Sequence, residues 1–230
     1  MSRREYAIIV AGGRGTRMQS ETPKQFMMLN GMPVLAHTIN AFLEYSSNIE
    51  IIVVLPESEI NTWNKICDQL DYHPPMTLAS GGETRFQSVQ NGLACIQETH
   101  GLVAIHDGVR PLVATDIIGA SFRLAAVHKS AVAAVRLKES IRITDQDTTK
   151  AVDRSKYRLI QTPQTFDVSL IKDAYRQKED PSLTDDASVA EKLGHKISLF
   201  EGSYENIKIT TPEDLVVAEA LLAERKKADQ

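Results

Sequence analysis

Short runs of consecutive apolar residues alternate with helical stretches, and this alternation constrains the fold more than any other feature of the chain. Such runs are typical of strands that are buried on both faces. The expected strands are Tyr6–Ala11, Ile49–Leu55, Met76–Ala79, Leu102–His106 and Ala131–Val135. Because helices separate these strands, the sequence predicts an α/β fold with a mainly parallel, twisted sheet and helices on both faces. Ligands of such sheets bind at the carboxyl ends of the strands.

The expected helices share apolar residues at helical spacing. They are a helix that begins at Pro33, then Glu57–Leu70, Thr84–Glu98, Thr115–His128, Val168–Gln177, Thr184–Leu193, and a last helix from Thr211 to about Arg225. Two further strands are expected at Lys196–Phe200 and Asn206–Ile209. Since no repeat or linker divides the chain, we expect residues 1–230 to form a single domain.

Residues 136–158 depart from this pattern, since they are rich in charged residues and threonine. Ile141, Ile143 and Val152 alternate weakly with polar residues, and residues 145–149 indicate a turn. The segment therefore predicts a protruding β-hairpin arm with little apolar surface of its own. Because an isolated hairpin is marginally stable, the arm needs a partner surface. A second subunit and an unstructured excursion both remain open at this point.

Composition narrows the class of protein. The chain carries a net charge of −4, which argues against a nucleic-acid binder. Cys67 and Cys95 are its only cysteines, which argues against a disulfide framework and favours a reducing cytoplasm. No apolar stretch approaches the ~20 residues of a membrane span, and the apolar run near the start, residues 7–11, is too short for a signal peptide. We expect a cytoplasmic protein that acts on small molecules.

A glycine-rich loop follows the first strand directly, with the sequence Ala11-Gly12-Gly13-Arg14-Gly15-Thr16-Arg17, and Pro23-Lys24-Gln25 comes soon after it. Glycines in this position let backbone N–H groups approach an anion closely. The loop lacks the Gly-Lys-Ser/Thr of a Walker A loop, and Met18 stands where a dinucleotide fingerprint needs its third glycine. Arg17 and Lys24 flank the loop and are expected to bind a polyphosphate and neutralise charge during transfer at phosphorus.

Six further segments carry a resemblance to a known family. They are residues 81–88, 106–111, 152–154, 162–166, 184–188 and 206–210. In this order, and with the first loop, they resemble the 2-C-methyl-D-erythritol 4-phosphate cytidylyltransferases of the sugar-nucleotidyltransferase superfamily. The resemblance implies a single-domain modified dinucleotide-binding fold, which is GT-A-like. The resemblance implies transfer of CMP from CTP to a polyol phosphate in the non-mevalonate isoprenoid pathway, with release of pyrophosphate. It also implies Mg²⁺, or another divalent cation, that arrives with CTP.

The same resemblance assigns roles to individual residues. Arg17 and Lys24 correspond to the transition-state cations of the family. The residues expected to bind CTP are Ala11, Gly12, Gly13, Gly15, Gly81, Gly82, Glu83, Ser88, Asp107, Gly108 and Thr162. Asp107 is also the expected metal ligand. The family commonly has Asp at the position of Glu83 and Ala at that of Gly108.

The acceptor phosphate is expected to be positioned by Arg154, Lys208 and Ser140. Two of these residues, Ser140 and Arg154, lie in the 136–158 arm. In the family this arm reaches across a homodimer and completes the partner's site. The resemblance therefore implies a homodimer that forms through the arm.

Three other functions are weighed against this interpretation. Ribitol-5-phosphate cytidylyltransferases share the first loop, Thr-Pro-Gln and Asn-Ile-Lys, but residues 152–154 and 184–188 favour the methylerythritol enzymes. A non-catalytic nucleotide-binding regulator would have no need of both Arg17 and Lys24. A dinucleotide-dependent dehydrogenase is disfavoured by Met18.

Overall fold

The computed structural model describes residues 3–13 and 22–228. Its strands are β1 (Glu5–Val10), β2 (Met28–Leu29), β3 (Met32–Pro33), β4 (Glu50–Leu55), β5 (Thr77–Ser80), β6 (Leu102–Asp107), β7 (Ser130–Arg136), β8 (Arg142–Asp145), β9 (Thr148–Ala151), β10 (Arg158–Asp167) and β11 (Leu199–Glu201). Its helices are α1 (Val34–Tyr45), α2 (Glu57–Gln69), α3 (Arg85–Ala94), α4 (Thr115–His128), α5 (Val168–Ala174), α6 (Asp186–Lys192) and α7 (Pro212–Ala228).

Seven strands form one sheet in the order β11-β7-β10-β6-β1-β4-β5. Strand β1 lies in the interior of the sheet and is parallel to both β4 and β6. Successive side chains of β1 point to opposite faces. Ile9 packs in a cluster with residues of α1, α2 and α4, whereas Ile8 packs in a second cluster with residues of α3, α5 and α6. The predicted α/β fold, with a mostly parallel sheet between two helical layers, is confirmed.

Strand β10 was not predicted, because its middle is polar. It runs antiparallel between β6 and β7, yet Gln161, Thr162, Gln164 and Thr165 are all buried. Their side chains are paired with specific partners: the Gln164 amide donates to Asp185, the Thr165 hydroxyl to Ser121, and the Gln161 amide to a backbone carbonyl. A strand whose polar groups are satisfied in this way leaves no apolar run in the sequence.

The strand expected at residues 206–209 is wrong. This segment is irregular and makes single hydrogen bonds, such as the one from Ile209 N to the Val109 carbonyl (2.9 Å). The segment is hydrogen-bonded to the loop after β6 and pairs with no strand of the described sheets. Its side chains are therefore not bound to the alternating directions of a strand. The other expected elements are present, and several are shorter than predicted at their carboxyl ends; α3, for example, ends at Ala94.

The hairpin predicted within residues 136–158 is confirmed as β8 and β9, which pair antiparallel from Arg142 and Ala151 to Asp145 and Thr148. Every residue of both strands is exposed. At the base of the hairpin, the Arg154 guanidinium donates to the Lys138 carbonyl oxygen.

Both cysteines are free thiols, as expected. Within the part of the chain that the structure describes, no helix combines the length and the apolar character that a membrane span requires.

Candidate active site

A cleft of about 770 Å³ opens where β1, β4 and β6 end, at the carboxyl edge of the parallel strands. It is where the fold predicts a ligand site. The predicted site residues that line it are Ala11, Gly12, Gly13, Lys24, Gly82, Glu83, Ser88, Asp107 and Lys208. Gly15 and Arg17, which were also predicted, lie outside the described residues.

The first wall of the cleft is the start of the glycine-rich loop together with Lys24. The Ala11 amide donates to the Val54 carbonyl (2.9 Å), so the loop leaves the sheet in a fixed direction. Lys24 is buried at the start of a short 3-10 helix, and a Cβ on Gly13 would lie 3.4 Å from its Cε. In the same short helix, the Phe26 ring stacks on Trp63. This contact attaches the helix, and with it the backbone of Lys24, to the core. A buried ammonium beside exposed loop backbone is suited to binding phosphate.

The second wall is the loop before α3. Ser88 Oγ accepts from the Gly82 amide (3.1 Å) and donates to the Thr84 carbonyl (2.8 Å). Thr84 caps α3 by accepting from the Gln87 amide, and the Gln87 side chain accepts from the Glu83 amide (2.9 Å). A Cβ on Gly82 would lie only 2.3 Å from Gln87 Cβ, so this tight loop requires glycine there. Gly81 lies behind this wall and does not line the cleft.

Asp107 ends β6 at the floor of the cleft and is surrounded by cations. Its Oδ2 lies 3.0 Å from both Lys208 Nζ and Arg110 Nε, and its Oδ1 lies 4.0 Å from Arg85 Nε. Burial disfavours the charged carboxylate, but the attraction of Lys208, Arg110 and Arg85 outweighs it, so the pKa of Asp107 lies well below its ordinary value. Asp107 is therefore an anion at neutral pH.

Lys208 reaches Asp107 because the irregular 206–209 segment is held against β6 and β10. Arg110 donates from Nη1 to the Asn206 carbonyl (2.8 Å) while its Nε binds Asp107. Asn206 Nδ2 donates in turn to the Thr162 carbonyl (2.7 Å). Thr162 itself is buried behind the floor, where its hydroxyl accepts from the Asp107 amide (3.1 Å). Thr162 thus supports Asp107 and does not line the cleft.

Two neighbours of Asp107 lie outside the lining of the cleft. Gly108 lies under the floor, and a Cβ on it would be 2.8 Å from Ala11 Cβ, so it too does not line the cleft. His106 is fully buried with its ring edge against Phe42. Burial lowers the pKa of His106 to about 3, which keeps its ring neutral.

Ser140 and Arg154 are not in the cleft of their own chain. Both are exposed, at the base of the hairpin. Of the three residues predicted to position the acceptor, one chain therefore supplies Lys208 alone to the cleft that it forms.

Comparison with known proteins shows the family to which the chain belongs. The sequence profile of "IspD: 2-C-methyl-D-erythritol 4-phosphate cytidylyltransferase" matches residues 6–224. The chain belongs to this family. It is similar to the 2-C-methyl-D-erythritol 4-phosphate cytidylyltransferase of Bacteroides thetaiotaomicron, with 47% identity over 95% of this chain and 100% of the relative. It is likewise similar to that of Porphyromonas gingivalis, with 46% identity over 96% and 99% of the two chains.

Solved structures agree in fold with these relatives. The 4-diphosphocytidyl-2C-methyl-D-erythritol synthase of Anaerococcus prevotii superimposes with a TM-score of 0.82 at 29% identity, over 96% of each chain. The 2-C-methyl-D-erythritol 4-phosphate cytidylyltransferase of Thermus thermophilus gives a TM-score of 0.76 at 28% identity, over 96% of this chain and 98% of the other. The likeness therefore extends over nearly the whole chain.

The floor of the cleft offers a divalent cation one carboxylate oxygen. Oδ2 of Asp107 is occupied by Lys208 and Arg110, which leaves Oδ1 as a ligand oxygen. No group of three or more acidic, histidine or cysteine side chains that could hold a metal exists among the described residues. One carboxylate oxygen with substrate phosphates is a common arrangement for Mg²⁺, so the residues fit an ion that arrives with a nucleotide.

Sequence reasoning missed Arg85 and Arg110 as site residues. Both lie inside segments that carried the family resemblance, residues 81–88 and 106–111. The signal that could have found them is charge: each follows closely on a cleft residue, and Asp107 needs nearby cations to be buried as an anion.

Proposed function

We propose that this protein transfers CMP from CTP to 2-C-methyl-D-erythritol 4-phosphate and releases pyrophosphate. The observation that carries the proposal is the joining of three parts in one cleft: the glycine loop with Lys24, the loop from Gly82 to Ser88, and the Asp107–Lys208 pair. Membership of the cytidylyltransferase family supports CTP as the donor and the methylerythritol phosphate as the acceptor.

In this reaction an oxygen of the acceptor phosphate attacks the α-phosphorus of CTP in line. The new O–P bond forms as the bond from the α-phosphorus to the bridging oxygen breaks, and pyrophosphate leaves with that electron pair. A phosphate monoester with a second pKa near ~6 is already an anion at neutral pH, so no general base is required. What the protein must supply is position and positive charge.

Lys24 and Lys208 divide this task. Lys24, buried beside the glycine loop, neutralises charge on the CTP phosphates together with Arg17. Lys208 uses one of its three N–H donors on Asp107 and is partly exposed in the cleft, so its other donors are available to the acceptor phosphate. Both cations act most strongly when charge accumulates at phosphorus.

We assign the base of CTP to the loop before α3, with Gly82, Glu83 and Ser88, since backbone groups and a small pocket can select a pyrimidine. A Mg²⁺ ion that arrived with CTP would take Oδ1 of Asp107 as a ligand and would neutralise charge on the phosphates.

We also propose a homodimer in which the 136–158 arm enters the partner's cleft. The exposure of Ser140 and Arg154 outside their own cleft supports this arrangement, because neither can touch the acceptor within one chain. Free thiols at both cysteines fit a reducing compartment, and we place the protein in the cytoplasm.

The test is an assay of pyrophosphate release by the purified protein with CTP, Mg²⁺ and one acceptor at a time. We expect turnover with 2-C-methyl-D-erythritol 4-phosphate and at most slow turnover with ribitol 5-phosphate. A preference for ribitol 5-phosphate would replace the acceptor. CTP binding without turnover of either acceptor would indicate a nucleotide-binding regulator.

A further inference from the structure

Arg85 is a cation of the cleft that the proposed mechanism does not use. It begins α3, and its two terminal nitrogens bind both carboxylate oxygens of Asp186, at 2.9 and 2.6 Å. Asp186 has no exposed surface and lies at the start of α6. The Tyr175 hydroxyl adds a third hydrogen bond to the same carboxylate (2.6 Å).

This arrangement holds the guanidinium in a fixed plane. A bidentate pair is directional, and Asp186 itself cannot turn, because three donors hold it. Burying such a pair costs most of the attraction that it gains, so the pair contributes little net stability. Its clearest physical consequence is the orientation of Arg85.

The Nε edge of the guanidinium faces Asp107 at the floor of the cleft. Arg85 Nε lies 4.0 Å from Asp107 Oδ1, while Asp107 Oδ2 binds Lys208 and Arg110. A partial turn of the Asp107 carboxylate would displace Oδ2 and, with it, the Lys208 ammonium that it binds. The positive charge of Arg85 on the Oδ1 side opposes this turn. At 4.0 Å it makes no hydrogen bond to Oδ1, so this oxygen stays open to a metal.

We propose that Arg85, oriented by Asp186, is a positioning residue that fixes the Asp107 carboxylate and thereby aims the Lys208 ammonium at the acceptor phosphate. The inference rests on the proposed function, because it concerns the acceptor half of that reaction. It gives a role to two segments, residues 81–88 and 184–188, that meet only in the folded chain.

The test measures two affinities by calorimetry: that of a non-hydrolysable CTP analogue, and that of 2-C-methyl-D-erythritol 4-phosphate for the analogue-saturated protein. The variants are Arg85→Lys, which keeps the charge, and Asp186→Asn, which keeps the shape. We expect each to weaken acceptor binding about tenfold, and at least fivefold more than analogue binding, since a charge-assisted contact is lost. The matched controls Arg176→Lys and Asp173→Asn alter an exposed ion pair and should change neither affinity.

A purely structural role would give a different result. Equal weakening of both ligands in proportion to a lower Tm, or no change in acceptor affinity, would overturn the inference. Tyr175→Phe is a milder variant that tests the inference even if Arg85→Lys or Asp186→Asn fails to fold. It removes one hydrogen bond to Asp186 and keeps the ring that packs on Phe86. It should show the same preference for the acceptor with a smaller loss. If the wild-type protein turns over no acceptor, the proposed function fails; if it is active and the variants bind normally, only this inference fails.

Discussion

The floor of the cleft rests on a contact between two of its smallest residues, Gly108 and Ala11. A Cβ on Gly108 would lie 2.8 Å from Ala11 Cβ and 3.1 Å from Leu35 Cδ1, closer than carbon atoms pack. At the residue scale, the side chain that position 108 can accommodate therefore depends on the size of residue 11.

We therefore predict that Gly108→Ala lowers the free energy of unfolding by about 1–3 kcal/mol, the usual cost of overpacking. Thermal unfolding should show the loss as a Tm lower by several degrees. In an Ala11→Gly background, which removes the nearest atom, the same substitution should cost clearly less. An equal cost in both backgrounds would show that the contact with Ala11 does not limit position 108.

Lys24 supports a second prediction at this scale, because it is buried beside the glycine loop and lines the cleft. Lys24→Ala should lower kcat by about a hundredfold, equivalent to about 3 kcal/mol of transition-state stabilisation. The affinity for CTP, measured by titration, should change much less. Lys24→Met, which keeps most of the apolar stem, should behave alike, whereas Lys65→Ala, an exposed lysine of α2, should be normal. Near-normal turnover of both Lys24 variants would remove this residue from the mechanism.

At the scale of elements, the parallel strands could be predicted and β10 could not. β1, β4 and β6 are buried on both faces by helices, so the hydrophobic effect selects apolar residues at successive positions. In β10 the buried positions are polar and are stabilised by hydrogen bonds to distant segments, for example from Gln164 to Asp185. Such partners are unknown until the chain has folded, so sequence periodicity alone could not reveal this strand.

The hairpin of β8 and β9 supports a prediction at the same scale. Ile143 is 54% exposed in one chain, and all its neighbours in both strands are exposed too. If the arm packs on a partner, Ile143→Asp should place a charge in the interface and convert the dimer to monomer, which sedimentation would detect. The matched control is Val127→Asp at the end of α4, where the valine is 74% exposed. Dissociation by both variants, or by neither, would speak against an interface at the arm.

At the scale of the whole molecule, the proposed homodimer can be tested by complementation between two inactive variants. If Arg154 acts in the partner's cleft, a chain with Arg154→Ala and a chain with Lys24→Ala should each be inactive alone. A mixed dimer would hold one cleft with both residues intact, so co-expression should restore about a quarter of wild-type activity for random pairing in a two-fold dimer. If Arg154 acts in its own chain, no cleft of the mixed dimer is complete and the mixture should stay inactive.

The layered α/β fold, the position of the cleft and many of its walls could be predicted from the amino-acid sequence. These follow from local information: apolar runs, glycines after the first strand, and strand ends that meet at one edge. The arrangement of the floor depends on the folded chain, because it brings together residues from separate segments: Asp107, Arg110, Lys208 and Arg85. Charges attract according to distance in space and not along the chain, so the pairing of Arg85 with Asp186, and its approach to Asp107, appears only once the helices have packed.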